Sequence, residues 1–149
     1  MIKAHIRLAA RAVILHENRL LLVNAWPGQR SDLWCAPGGG VQAHASLPNN
    51  LKRELWEETG LEIAVGQPVL VNEFHSESHH FHQVEVYFRA HIIAGTLDPA
   101  WRDPEGVVEK RRFFSREELT SIRLKPDSLP QIAWGEAEGH YDALEQIIR

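Results

Sequence analysis

The chain has 149 residues and a mass of 17.0 kDa, the size of one ordinary domain that can enclose a hydrophobic core without disulfide support. With 44% hydrophobic and 24% charged residues, and no repeat or low-complexity tract, its composition is that of a globular protein. A formal charge of −4 and a pI near 6.1 provide no positive field to neutralise the phosphates of long nucleic acid, which argues against such a partner.

The single cysteine, Cys35, has no intramolecular partner for a disulfide, and charges are scattered through the N-terminal segment where a secretory leader would be apolar. Both features point to a cytoplasmic location. No apolar run approaches the roughly 20 residues that cross a bilayer as a helix, so no membrane span is expected.

In chain order, residues 8–15 and 19–23 read as two strands joined by the polar turn His16-Glu17-Asn18, a hairpin that opens the fold. Residues 26–32 carry Pro, Gly and Ser and read as loop, and Ala36-Pro37-Gly38-Gly39-Gly40 predicts a stronger break in regular structure. From Ser46 to Thr59 the pattern turns helical, with Ser46 as N-cap, Pro48 tolerated in the first turn and Gly60 suited to the left-handed position past the end. Residues 61–65, 69–74 and 83–93 read as strands. Residues 115–119 read as a capped helical start, and residues 136–148 as a terminal amphipathic helix. This irregular mixture predicts an α/β or α+β sandwich, not a doubly wound parallel sheet.

The helix after the glycines concentrates the chemistry. At about 100° per residue, Leu47, Leu51 and Leu55 define a buried stripe, and Glu54, Glu57 and Glu58 fall beside it instead of on the opposite, solvated face. Glu54 and Glu58 are a like-charge i,i+4 pair, and all three acids lie toward the helix C-terminus, where the macrodipole disfavours negative charge. Arg53, one turn before Glu57, offsets only a few tenths of a kcal/mol of this, about what an exposed pair contributes. A divalent cation resolves the conflict better, since Mg²⁺ typically takes hard carboxylate oxygens and leaves positions for water and phosphate. A Glu-rich, solvated helix end is the other reading of the same pattern. The run Gly38-Gly39-Gly40 lets backbone approach the helix or a ligand closely, or forms an ordinary tight turn.

The stretch Gly39-Gly40-Val41-Gln42-Ala43-His44-Ala45, seven further residues, then Arg53-Glu54-Leu55-Trp56-Glu57-Glu58-Thr59-Gly60-Leu61 resembles the Nudix box, in register over 23 positions. It departs at Ala45, where the family pattern has Glu, and His44 and Gln42 stand where Gly and Glu are frequent. The resemblance implies a Nudix-like α/β/α sandwich with a mixed central sheet, one domain over residues 1–149. It implies hydrolysis of a nucleoside diphosphate linked to a moiety X, with Mg²⁺ as cofactor and Mn²⁺ as a substitute. Glu54, Glu57 and Glu58 would be the metal-binding and catalytic residues, with Arg53 beside them and Gly38, Gly39 and Gly40 contacting substrate. In the family the Glu absent at position 45 braces the box partly through the Arg equivalent to Arg53, so its loss implies a less rigid loop, with altered metal affinity, a lower rate or loss of activity. A homodimer is also compatible with the family.

A further acid is often drawn from a later loop, and Glu105 and Glu109 are the candidates here, each equally readable as a solvated loop charge. His75, His79, His80 and His82 with Glu73 and Glu77 form a dense cluster without zinc-like spacing, more consistent with a polar hairpin tip or a substrate-side surface. Arg7, Arg11, Arg30 and Arg89 are candidates for phosphate contact, and Trp26, Trp34, Trp101 and Trp134 for base stacking, against the ordinary readings of surface and core. Lys110-Arg111-Arg112 reads as surface charge at the start of a strand signalled by Phe113-Phe114. Two rival functions stand beside this one: an idle nucleotide-sensing domain, which Ala45 makes more credible, and the same scaffold turned to non-diphosphate chemistry. The intact acidic trio weighs against both, and the fold alone does not choose.

Overall fold

A computed structural model describes residues 5–135 and 139–149. The first strand, β1 (His5–His16), turns through Glu17 and Asn18, both at positive φ (50° and 61°), into β2 (Arg19–Asn24). That is the two-residue geometry that matches strand twist, so the expected hairpin forms with longer arms. Two short strands follow, β3 (Leu33–Cys35) and β4 (Gly38–Gly40). The glycine run is therefore not a break in regular structure. It pairs antiparallel with β1, Gly38 opposite Arg11 and Gly40 opposite Ala9, because the missing Cβ atoms let β4 lie against β1 closely: a Cβ on Gly38 would collide with the Ala10 carbonyl.

Helix α1 (Leu47–Thr59) runs as predicted, with the Ser46 Oγ accepting the Asn49 amide at 3.1 Å and Gly60 at φ 72° donating to the Trp56 carbonyl at 2.8 Å. The two strands expected over residues 61–74 are one long strand, β5 (Glu62–Ser76), interrupted by register shifts near Pro68. It pairs antiparallel with β6 (Phe81–Ala94), which runs parallel to β1 from His5 opposite Phe81 to Ile14 opposite Ala90. Then come β7 (Arg111–Ser115) against β2, a 3₁₀ turn (Glu118–Ser121), β8 (Arg123–Leu124) and the short α2 (Leu129–Trp134). The helical start expected at residues 115–119 is corrected: Ser115 ends β7, and although its Oγ accepts the Glu118 amide at 3.2 Å and its amide donates to Glu118 Oε1 at 2.9 Å, the 3₁₀ turn begins at Glu118 with Glu117 in the N-cap position and no side-chain cap.

The expected terminal helix is corrected. Residues 136–138 lie outside the described residues, and from Gly139 onward the chain is extended, with β9 (His140–Tyr141) and β10 (Glu145–Gln146) parallel to β5. The free edge of β5 offers unpaired backbone groups, and the tail takes them: Asp142 donates to Val71 and Ile147 to His75. Tertiary pairing overrides a helical periodicity that has no partner face.

The sheet order is β10-β5-β6-β1-β2-β3-β8, mixed and curled, with helices on both faces. On one face Leu51, Leu55, Leu61 and Ile63 bury against Ala12, Ile14 and Phe88 beneath α1. On the other, Leu129 and Ile132 of α2 pack with Leu20, Leu22, Tyr87 and Phe114. Each fully buried leucine contributes about 1.5–3 kcal/mol, so these stripes fix α1 rigidly against β1 and hold its carboxylates beside β4. Among the described residues, no helix is long and apolar enough to cross a membrane.

Candidate active site

Helix α1 buries Glu54 and Glu58 (7% and 6% exposed) at the margin of its leucine stripe, as the helical periodicity predicts. Glu54 lies under Gly39, so tightly that a Cβ there would come within 3.0 Å of both carboxylate oxygens. Glu54, Glu57 and Glu105 each offer a carboxylate oxygen, all within 4.8 Å of one another. Hard oxygen donors gathered this closely fit a divalent cation such as Mg²⁺, which takes two or three carboxylates and completes its shell with water or phosphate. Desolvation raises the Glu54 carboxyl above its usual range; Arg53 opposes this, and Glu105 and Glu57 add to it.

Glu58 stands apart from that group. Its Oε2 accepts the Gly38 amide at 3.1 Å, and burial pushes its carboxyl up to about 8 against the pull of the Arg11 guanidinium, with Glu54 adding to the rise. Arg53 spans the other two acids, 3.2 Å from Glu57 and 3.3 Å from Glu54 Oε1. The second contact is close enough for charge attraction but not aligned as a hydrogen bond, and Nη2 is buried with no hydrogen-bond partner among the described residues. That orphan donor is consistent with the lost partner at Ala45. The loop has a brace of its own, however: Asn50, 2% exposed, accepts the Gln42 amide at 2.9 Å and donates to the Ala45 and Ser46 carbonyls at 3.1 and 2.8 Å.

The positive charge that the helix end needs comes partly from outside it. Trp101 Nε1 donates to the Glu57 carbonyl at 2.8 Å, and the Arg111 guanidinium donates to the Glu58 carbonyl, so two terminal carbonyls are capped and a cation sits at the negative end of the macrodipole. Arg111 is thus a structural cap, a role the basic run in the sequence does not reveal. Nor does the sequence reveal how Glu105 is presented. Asp103 accepts the amides of Glu105, Val107 and Val108, and Asn24 accepts those of Glu109 and Lys110 while donating to the Val107 carbonyl. Glu109 does not join the acidic group.

The arginine and tryptophan candidates separate. Arg11 is inside, bonded to Glu85 at 2.7 Å and to the Ala36 and Gly38 carbonyls; burial alone would lower its pKa, but the combined fields of Glu85, Cys35, Tyr87 and Glu58 outweigh that and hold it well above normal. Arg89 caps α2 through the carbonyls of Ile132, Ala133 and Gly135, and Arg30 is exposed. Trp34 packs edge-on against Phe114, Trp134 bonds Asn18, and Trp26 borders a cavity together with Arg7 and Arg11. The histidines lie at the β5–β6 hairpin tip: His82 bonds Glu73 at 3.1 Å, His79 sits with Ser76 and Ser78, and His75 faces Gln146 of the tail.

A sandwich of this topology, with clustered carboxylates on the helix after a glycine strand, defines a class that comparison with known proteins resolves. The NUDIX domain family model matches residues 5–135, and the chain belongs to the Nudix family. Human diphosphoinositol polyphosphate phosphohydrolase 3-beta is 26% identical over 106 residues, 71% of this chain and 60% of that protein. Diphosphoinositol polyphosphate phosphohydrolase 2 of Rattus norvegicus is 26% identical over the same length, 55% of that protein. The chain therefore spans somewhat over half the length of these curated relatives. A UDP-X diphosphatase crystal structure superposes with a TM-score of 0.73 at 22% identity, covering 95% of this chain and 70% of that one. An ADP-ribose pyrophosphatase from Streptococcus suis 89-1591 does so with 0.67 at 21%, covering 91% and 98%. At these identities the two structures establish the shared fold.

Proposed function

We propose that this protein hydrolyses a diphosphate linkage in a nucleoside diphosphate joined to a second moiety, using a divalent cation, Mg²⁺ or Mn²⁺. The observation that carries this reading is the convergence of Glu54, Glu57 and Glu105 beside a glycine strand in a Nudix scaffold. Glu54, Glu57 and Glu105 would hold the cation, with Glu58 adjoining them through α1. When bound, the cation neutralises diphosphate charge and acidifies a water. Arg53 orients Glu54 and Glu57. Glu54, pinned against Gly39, is placed to orient the attacking water and accept its proton. Gly38, Gly39 and Gly40 bring backbone close to this centre and leave room for phosphate. A homodimer and a cytoplasmic location belong to the same reading, resting on the family and on the single cysteine.

The test is chromatographic detection of cleavage with Mg²⁺ across ADP-ribose, UDP-glucose, dinucleoside polyphosphates and a diphosphoinositol polyphosphate. Cleavage that disappears with Glu57→Gln supports the reading. Binding of a nucleotide without turnover, in the unmodified chain and in Ala45→Glu alike, replaces it with a nucleotide sensor.

A further inference from the structure

The loop between β6 and β7 carries Glu105 to the acidic group, and charge does not explain why it stays there. Among the described residues Glu105 makes no ion pair. Its carboxylate meets those of Glu54 and Glu57 instead, and it is one of the groups that raise the Glu54 carboxyl. Without a cation between them, three carboxylates at this distance repel one another. Another part of the loop must hold the third one in place.

That part is Trp101. Its indole Nε1 donates to the Glu57 carbonyl at 2.8 Å, and its ring meets Trp56 of α1 edge to face, centroids 5.2 Å apart. The six-membered ring also lies against Gly60, so closely that a Cβ there would stand 2.8 Å from Cε3. The loop therefore meets Glu57 twice, Trp101 at its backbone carbonyl and Glu105 at its carboxylate. Between those points the loop is braced by its own aspartates. Asp98 accepts the Ala100 amide through Oδ1 at 2.8 Å and the Trp101 amide through its carbonyl at 2.9 Å. Asp103 accepts the Glu105 amide through Oδ1 at 3.0 Å and the Gly106 amide through its carbonyl at 2.9 Å. Beyond Glu105, Asn24 anchors the amides of Glu109 and Lys110 to β2. Glu105 thus sits on a short bridge, and on its N-terminal side Trp101 ties that bridge to the helix carrying the other two acids.

We infer that Trp101 is a positioning residue of the metal group: by bonding the Glu57 backbone it fixes the loop so that the Glu105 carboxylate lies against those of Glu54 and Glu57, where a divalent cation would bind. This deepens the proposed activity and rests on its metal group. In this role Trp101 touches neither cation nor substrate and acts through Glu105, so its effect on the metal depends on Glu105 being present.

A double-mutant cycle on the full chain reads that dependence. Mn²⁺ affinity is measured by electron paramagnetic resonance in the unmodified chain, Trp101→Phe, Glu105→Gln and the double variant. Trp101→Phe keeps a ring against Gly60 and loses only the N–H, so the fold is expected to hold. Its Mn²⁺ affinity is expected to fall about threefold to tenfold, within the range of one hydrogen bond, and by no more than in Glu105→Gln. In the Glu105→Gln background the same substitution is expected to change affinity by less than about twofold. A second readout needs no metal: ¹⁵N order parameters at Glu105 and Gly106 are expected to drop from about 0.85 to below about 0.6 in Trp101→Phe, with those of α1 unchanged. Equal losses of Mn²⁺ affinity in both backgrounds overturn the inference, because Trp101 then acts on the helix end. So does undiminished Mn²⁺ affinity in Trp101→Phe, or unmoved order parameters at Glu105. If the unmodified chain binds no Mn²⁺, the metal reading fails, and the order parameters still decide whether Trp101 positions the loop.

Discussion

Gly39 and Glu54 are packed so closely that a methyl group on the glycine would stand 2.8 Å from the carboxylate carbon, well inside van der Waals contact. The glycine strand therefore sets where the first carboxylate of the acidic group can lie. Neighbouring Gly38 meets backbone instead, at φ 146° and against the Ala10 carbonyl.

The two glycines should fail differently. In Gly39→Ala the colliding atoms end a flexible side chain, so Glu54 moves: Tm is expected to change little while Mg²⁺ affinity and turnover fall about tenfold or more, since catalysis tolerates little misplacement. In Gly38→Ala nothing can yield cheaply, and thermal unfolding should show a loss of about 1–3 kcal/mol from strain and overpacking. Equal loss of stability in both variants would refute the distinction.

Asn50 makes three hydrogen bonds to the loop that ends at Ser46, where the family brace at position 45 is absent. Asn50→Ala removes three part-buried hydrogen bonds that hold the loop and is expected to cost about 1–3 kcal/mol by denaturant unfolding. Ala45→Glu in the native background should change stability by well under that, roughly 0–1 kcal/mol, because Ala45 is exposed. Its effect belongs on metal affinity, through the orphaned Arg53 Nη2, so a gain in Tm with no change in Mg²⁺ titration would contradict this division.

How far the sequence reached follows from range. Helix α1, both its caps and the burial of Glu54 and Glu58 are set by local spacing, and all were legible. The first hairpin was legible because Glu17-Asn18 is a two-residue turn. The position of Glu105 depends on Asp103 and on Asn24, which is 81 residues earlier in the chain, so the sequence offered only two equal candidates. The tail pairs with β5 across a similar distance, which is why its helical periodicity misled.

Glu105 and Glu109 are now separable. Glu105 contributes an oxygen to the group with Glu54 and Glu57, whereas Glu109 is held by its backbone amide on Asn24 and lies outside that group. Glu105→Gln is expected to weaken Mn²⁺ binding, read by electron paramagnetic resonance, about tenfold, with Tm unchanged for an exposed side chain. Glu109→Gln should leave both as they are, and similar losses in the two variants would remove Glu105 from the metal group.

Cys35 provides a pH test that needs no substrate. Desolvation pushes its thiol from an ordinary 9.0 up to about 12, Arg11 pulls the other way, and Glu85 and Glu58 add to the rise. A folded pKa above the unfolded one contributes stability that is fully present below about 9 and is lost as pH rises toward about 12, because unfolding then releases a proton the native thiol retains. The same shift lowers the thiolate fraction at pH 8 about a thousandfold relative to the unfolded chain, and the thiolate is the reactive form. Iodoacetamide at pH 8 should therefore label Cys35 far more slowly in the native protein than in urea, by at least tenfold. Arg11→Met removes the cation that opposes this rise, so labelling of that variant, if it stays folded, should be slower still. Comparable rates for native and unfolded protein would mean the thiol is not held neutral by its surroundings.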